Sequence, residues 1–297
     1  MGGNITMFEK VNPYHPDKVA DRIAGAIVDH SYTNSDGGWM KSNPRIAVEV
    51  LIGHNHAMVI IETSLSRGEL SAQDVSDVLQ RLCPEVPEVY RHILITHQDE
   101  HLSRNQQEGV RVGDNGIFKG KPVTEEQKRL VAIAREITKR YPSDGKYILD
   151  STDVTICQSN MPTDEAEAMR KTLRNDTGLY AIINPLGEWT GGTSVDSGAT
   201  NRKLGSDMGD AVTGGGLHGK DLSKADVSVN IACHIKAQAA GCEVVASTAI
   251  GDEKVVFRYE SGRIEKVMYK DVVEQARLFI LTQYGSFEKF AEWGLIY

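Results

Sequence analysis

Cysteine is scarce: there are four in 297 residues, none spaced as Cys-x-x-Cys. That excludes a disulfide scaffold and the common zinc-binding spacings. Cys83, Cys157, Cys233 and Cys242 are scattered and read as the reduced thiols of a cytoplasmic protein. Positive charge is the minority, with 33 Lys and Arg against 41 Asp and Glu and a formal net charge of −8. Such a surface does not suit nonspecific nucleic-acid binding, so no nucleic-acid partner is expected. No apolar run is long enough to span a membrane, and no apolar signal segment opens the chain, so no membrane association is expected. Residues 1–6 match the short N-myristoylation pattern, but no polybasic stretch follows to complete an anchor. His97 and His101 have the spacing of a helical zinc pair, yet residue 98 is Gln where the metalloprotease motif needs Glu. No internal repeat is visible. The remainder is an ordinary globular composition, 40% hydrophobic and 25% charged, with a length that suits two or three small domains or one large α/β unit.

Glycine, by contrast, is concentrated. Gly214-Gly215-Gly216 leads through Leu217-His218-Gly219 to Lys220, with Lys224 and Asp226 just beyond. Val227, Ile231, His234 and Ile235 then recur at helical spacing, and Gly241 supplies a stop. A glycine loop entering a helix N-terminus offers free N–H groups and a favourable dipole to an anion. The two lysines add charge, and Asp226 offers a carboxylate to a divalent cation. The Walker pattern is not met. Its closing Ser/Thr is Asp221, an acidic side chain that would repel phosphate, and Gly205–Asp210 does not read as the buried strand that should precede it. Two readings of the loop remain: a polyphosphate site of another kind, or a solvated surface loop.

Elsewhere the pattern alternates between strand and helix. His15-Pro16-Asp17-Lys18 opens a helix, with Pro16 at the first position and Asp17 at the positive dipole end. His15 is either its cap or a catalytic group. Ile46, Val48, Val50 and Ile52 alternate along a strand that carries Glu49 on its other face, and Ala57–Leu65 returns with Glu62 in an apolar run. Each glutamate either faces water or meets a cation. Capping boxes start helices at Ser71/Asp74 and Thr124/Gln127. Strands are expected over Val89–Thr96, Tyr147–Leu149, Asp153–Gln158, Leu179–Ile183 and Glu243–Ile250. A hairpin is expected about Ser261-Gly262, a short helix over Asp164–Arg174, and a final helix over Tyr269–Gly285. His97–Arg111 reads as a polar surface loop ending in a turn that presents Asp114 inward.

Six motifs in register resemble S-adenosylmethionine synthetases (methionine adenosyltransferases): His15-Pro16-Asp17-Lys18, Gly113-Asp114-Asn115-Gly116, Asp144-Gly145-Lys146, Ile183-Asn184-Pro185-x-Gly187, Asp196 to Lys203, and the glycine loop through Asp226. The resemblance runs from about residue 10 to residue 251. It implies an α+β (α/β) fold of three similar sheet-plus-helix subdomains around a pseudo-threefold axis. The subdomains would be 4–98, 112–182 and 183–297, interleaved, with a shortened active-site loop over 98–113. It implies a transferase of one-carbon metabolism that joins L-methionine to ATP and hydrolyses the leaving tripolyphosphate to phosphate and pyrophosphate. It also implies a homodimer or homotetramer with sites at the subunit interface. His15, Lys146, Arg202, Lys203, Lys220 and Lys224 would carry catalysis. ATP would meet His15, Asp144, Lys146, Trp189, Asp196, Arg202, Lys203, Leu217 and Lys220, with Trp189 stacking on adenine. Methionine would meet Glu62, Asp196 and Lys224, with Asp114 also in the site. Mg²⁺ would be held by Asp17 and Asp226, and K⁺ by Glu49.

The chain departs from the family pattern in several places. Tyr14 and Asn201 stand where the family has glycine, Trp189 where it usually has Phe, and Val227 where it has Arg. The glycine loop is one residue short. The loop from Gln98 to Asp114, the region near residue 150 and the segment after Gly285 are all abbreviated. The methionine-contacting glutamine of the family corresponds to Gln106 or Gln107. The competing readings are a tripolyphosphate hydrolase that has lost methionine, and a noncatalytic regulator that binds ATP or S-adenosylmethionine.

Overall fold

The computed structural model describes residues 7–35, 37–99 and 110–297. The myristoylation pattern, Gln106, Gln107 and most of the expected short loop lie outside the described residues. Within them the chain forms three four-stranded sheets. The first block runs β1 (Met7–Val11), α1 (Pro16–Asn34), β2 (Ile46–Gly53), β3 (His56–Thr63), α2 (Ala72–Leu82) and β4 (Arg91–His97). The second runs β5 (Gly116–Gly120), α3 (Glu125–Arg140), β6 (Gly145–Asp150), β7 (Asp153–Gln158), α4 (Thr163–Thr177) and β8 (Tyr180–Ile183). The third runs β9 (Ser197–Ala199), α5 (Leu204–Met208), α6 (Ala225–Ala240), β10 (Val244–Thr248), β11 (Lys254–Tyr259), β12 (Ile264–Met268), α7 (Tyr269–Gln283) and α8 (Phe287–Trp293).

Each block therefore opens with a strand and a helix and continues with an antiparallel strand pair. The opening strand never stays with its own block. β1 pairs with β6, β5 with β10 and β9 with β2, all antiparallel. The sheets are β1-β6-β7-β8, β5-β10-β11-β12 and β9-β2-β3-β4. The exchange is cyclic: block one lends to two, two to three, and three to one. The blocks also differ in detail. β3/β4 and β7/β8 are parallel and joined by a helix, as a parallel crossover requires. β11/β12 is an antiparallel hairpin.

Local sequence explains the elements. The alternation in β2 buries Ile46, Val48, Val50 and Ile52 on one face, against α1. Both capping boxes form: Ser71 and Asp74 exchange hydrogen bonds at α2, and Thr124 and Gln127 do so at α3. Gly241 ends α6 in the left-handed conformation. Several elements differ from the sequence reading: strands β1, β5 and β9 and helix α5 are not among the expected ones. β4 starts at Arg91 because Glu88–Tyr90 makes a 3₁₀ turn first. α4 continues to Thr177 and is closed by Gly178 at φ 71°. After α7, Ser286 caps a further helix, α8, with its hydroxyl accepting from the Lys289 amide. α8 packs on α1, where Asp29 accepts from the Phe287 and Glu288 amides at 2.7 and 2.9 Å.

The helices cover the inner sheet faces. One core joins blocks one and three, and a smaller one fills block two under Trp293 and Ile296. The outer faces carry exposed apolar side chains on all three sheets: Leu51 is 54% exposed, Leu94 57%, Ile117 67% and Tyr180 58%. No helix among the described residues is long and apolar enough to cross a membrane.

Candidate active site

The residues singled out in the sequence gather in two groups. The first surrounds the N-terminus of α1. His15 Nδ1 accepts the Asp17 amide at 3.2 Å, so the neutral ring carries its proton on Nε2. Burial lowers the His15 pKa, Asp17 opposes, and Lys203 and Lys146 lower it further, to about 4. Its 3.8 Å approach to the Asp17 carboxylate is therefore not an ion pair at neutral pH. Asp17 is buried and much engaged. Its Oδ1 accepts from the Ala199 amide of β9 at 2.9 Å, and Oδ2 lies 3.1 Å from Lys203 Nζ. Arg202 Nε lies 3.5 Å from Oδ1. The approach of β9 to α1 requires glycine at 198, where a Cβ would lie 2.1 Å from the Pro16 carbonyl carbon.

Asp144 and Lys146 enter from block two. Asp144 Oδ2 accepts from the Gly192 amide at 3.2 Å. Burial raises the Asp144 pKa, Gly192 works against that, and Asp196 and Asp17 push it further up, to about 6. Lys146 is bonded to Glu9 of β1 at 2.8 Å. Trp189 is half-buried and donates from its ring to Asn184 Oδ1 at 3.2 Å. Its ring borders Gly191 beside Asp144.

The second group lines a cavity of about 440 Å³. Glu49, Glu62, Asp114, Lys220, Lys224 and Asp226 supply its charge. Glu49 pairs with Ile60 and Glu62 with Ala47, so both glutamates project from the outer face of the β2/β3 ladder. Glu49 Oε2 also accepts the Thr200 hydroxyl. Lys220 Nζ lies 2.5 Å from Asp226 Oδ2. Four carboxylates face two ammonium groups here, an excess that an entering cation or ammonium would offset.

Asp221, which spoils the Walker pattern, has a different task. It is fully buried, its Oδ2 accepts from the Ile46 amide at 2.8 Å, and its own amide donates to Ile46 O at 3.1 Å. With the Val48 amide donating to Gly219 O at 2.7 Å, it ties the glycine loop to β2. Gly219 holds φ 77° there, and a Cβ would lie 2.4 Å from Val48 O. Leu217 is buried and donates its amide to Asn201 Oδ1. The segment before the loop is helical, α5, and not a strand.

Several participants carried no sequence signal. Thr200 and Glu9 are partners of Glu49 and Lys146 that only the cyclic strand exchange brings near. A third set is buried beneath the loop. Lys18 Nζ donates to Asp207 at 2.7 and 2.8 Å and to Asp21 at 3.1 Å, with His218 Nε2 2.9 Å from Asp207. Asp21, Asp207 and His218 are close enough to ligate one metal ion. The Lys18 ammonium already occupies that position, so the cluster is a closed charge network.

A test of the first group is available by NMR. The His15 ring should titrate near pH 4, well below the ordinary histidine value. A folded pKa below the unfolded one means protonation opposes folding, so the contribution is complete above about pH 6.5 and is lost as pH falls toward 4. A midpoint near 6.5 would show an open, solvated ring.

Three interleaved sheets with helices on their inner faces define the class, a mixed α/β fold shared with a solved S-adenosylmethionine synthetase. That structure, described as an unusual S-adenosylmethionine synthetase from Campylobacter jejuni, superposes with a TM-score of 0.69 at 20% identity, covering 99% of this chain and 95% of its own. Over most of its length the chain is similar to curated S-adenosylmethionine synthases, at low identity. It is 24% identical to that of Rippkaea orientalis over 93% of this chain and 83% of the relative. It is 25% identical to that of Mycoplasma mycoides over 90% and 84%. No family model matches the sequence.

Proposed function

We propose that the protein forms S-adenosylmethionine from ATP and L-methionine and hydrolyses the tripolyphosphate to phosphate and pyrophosphate. One observation carries this reading: two ion pairs, Asp17–Lys203 and Asp226–Lys220, stand at the two groups of site residues. Each is the charge complement of a metal-bound polyphosphate, whose cation suits the carboxylate and whose oxygens suit the lysine. Asp17 and Asp226 offer the oxygen donors that Mg²⁺ prefers, and Glu49 offers one to K⁺. Bound there, the cations would offset polyphosphate charge.

The rest follows from the residues. The methionine sulfur attacks the ribose 5′ carbon, and the carbon–oxygen bond to tripolyphosphate breaks. Charge develops on the leaving oxygen, where preorganised cations are most effective. Lys146, Arg202, Lys203 and Lys220 supply that charge. The neutral His15 ring donates from Nε2 toward the leaving oxygen. Asp144 and Trp189 hold the adenosine, the tryptophan by stacking. Glu62 and Asp196 suit the methionine ammonium, and Lys224 its carboxylate. Asp114 completes the cavity wall. We place the enzyme in the cytoplasm.

The exposed outer sheet faces suit a homodimer, in which the His15 group of one chain meets the cavity group of its partner. Asp114 and Lys220 line the same cavity, so variants at those two positions should not complement each other. His15→Asn and Lys220→Ala chains, mixed under conditions of subunit exchange, should regain part of the lost activity. No recovery after verified exchange would place a whole site in each chain. The reaction itself is tested with ATP, Mg²⁺, K⁺ and methionine, separating the products. ATP cleavage indifferent to methionine would favour the hydrolase, and ATP binding without turnover the regulator.

A further inference from the structure

We propose that Asn201 is a positioning residue that clamps the glycine loop to the turn bearing Arg202 and Lys203. Downstream, the loop is fixed to β2 through Gly219 and Asp221. Upstream, Gly214 is exposed, and Gly215 and Gly216 are half-buried. Between these, Asn201 Oδ1 accepts from the Leu217 amide at 2.8 Å and the His218 amide at 2.9 Å. Its Nδ2 donates to His218 O at 3.2 Å. One side-chain amide thus meets the backbone of two successive residues, across three peptide units.

The clamp is itself held. The Asn201 amide donates to Asp21 Oδ1 at 2.8 Å, and Asp21 accepts from Lys18. Asn201 sits at φ 62°, a conformation that asparagine tolerates better than most residues. Gly216 lets the amide in: a Cβ there would lie 2.8 Å from Nδ2. The next two residues are the cations that face Asp17. A single side chain therefore holds both the loop and the Arg202–Lys203 turn of its chain, which in the proposed dimer serve the two neighbouring sites. It also joins two departures seen in the sequence, since the asparagine replaces a glycine in a chain whose loop is one residue short.

The calorimetric and kinetic parts of the test rest on the proposed reaction, and the hydrogen-exchange part does not. Asn201→Gly keeps the left-handed backbone and removes the clamp. Asn201→Asp keeps the backbone and the acceptor for both amides. In the wild-type protein, hydrogen exchange should show the Leu217 and His218 amides protected. Asn201→Gly should lose that protection with its melting temperature nearly unchanged, and Asn201→Asp should retain it. Calorimetry with tripolyphosphate should show affinity falling about tenfold or more in Asn201→Gly, in line with the loss of a positioning contact. In the full reaction the KM for ATP should rise by a similar factor in Asn201→Gly while that for methionine moves little. Unchanged protection and unchanged tripolyphosphate affinity in Asn201→Gly would overturn the clamp. A wild-type protein that forms no S-adenosylmethionine would overturn the proposed reaction alone, and exchange would still decide the clamp.

Discussion

Lys18→Ala should destabilise the protein by roughly 3–5 kcal/mol, the loss expected when one partner of a buried ion pair is removed. Lys18, Asp21 and Asp207 are all wholly buried, and the ammonium bonds both carboxylates. Removing it leaves two adjacent negative charges in the interior. Burial alone would raise the Asp207 pKa, but Lys18 and the His218 hydrogen bond outweigh it and hold the carboxyl below its usual range. Burial likewise opposes the charge on Lys18, and Asp207 and Asp21 overcome it, raising its pKa. The signs define a window. The Asp207 contribution is present above the ordinary carboxylate pKa and is lost as pH falls below it. The Lys18 contribution is present below the ordinary lysine pKa and is lost as pH rises above it. Urea unfolding at pH 7 measures the effect. A loss under about 1 kcal/mol, the range of a surface pair, would show that water reaches the cluster.

His15→Asn should slow adenosyl transfer by about 100-fold or more, the range for a lost proton-donating group, while hydrolysis of supplied tripolyphosphate falls much less. The imidazole is held neutral beside Asp17, with Nδ1 committed to the helix and Nε2–H free to donate. Asparagine can still cap the helix, so the change isolates the ring. Only the first step breaks the bond at the ribose, whereas Lys203 and Lys220 would serve both. Parallel assays of the two steps on one preparation decide this. Equal losses in both would assign His15 to general architecture instead.

Much of the local structure is legible in the sequence. The β2 period, both capping boxes and the Gly241 stop depend on neighbours within a few residues, and local chemistry determines them. So does the cap at His15. Asp221 was misleading because its partner, the Ile46 amide, lies far away in sequence. Read alone, it looks like a charge beside phosphate, and its burial shows a structural anchor. Lys18 and Asp21 are three apart on a helix and look like a surface pair until Asp207 and His218 close over them. The sheet partner of β9 had no local signal, since three residues carry no period that names a neighbour. Glu49 and Glu62 stand out in their strands, and both line one cavity with Lys220.

The cyclic lending of strands also sets the order in which the chain can complete itself during synthesis. β2 finishes at Gly53, but the strand that covers its edge begins at Ser197. At ordinary rates of translation that edge waits on the order of ten seconds. β1 waits in turn for β6, and β5 for β10. Until β9 arrives, the nascent chain carries an open, apolar sheet border, the kind of surface that pairs with the wrong neighbour. The ring of exchanged strands that unites the finished protein is therefore the part of it most exposed while it is being made.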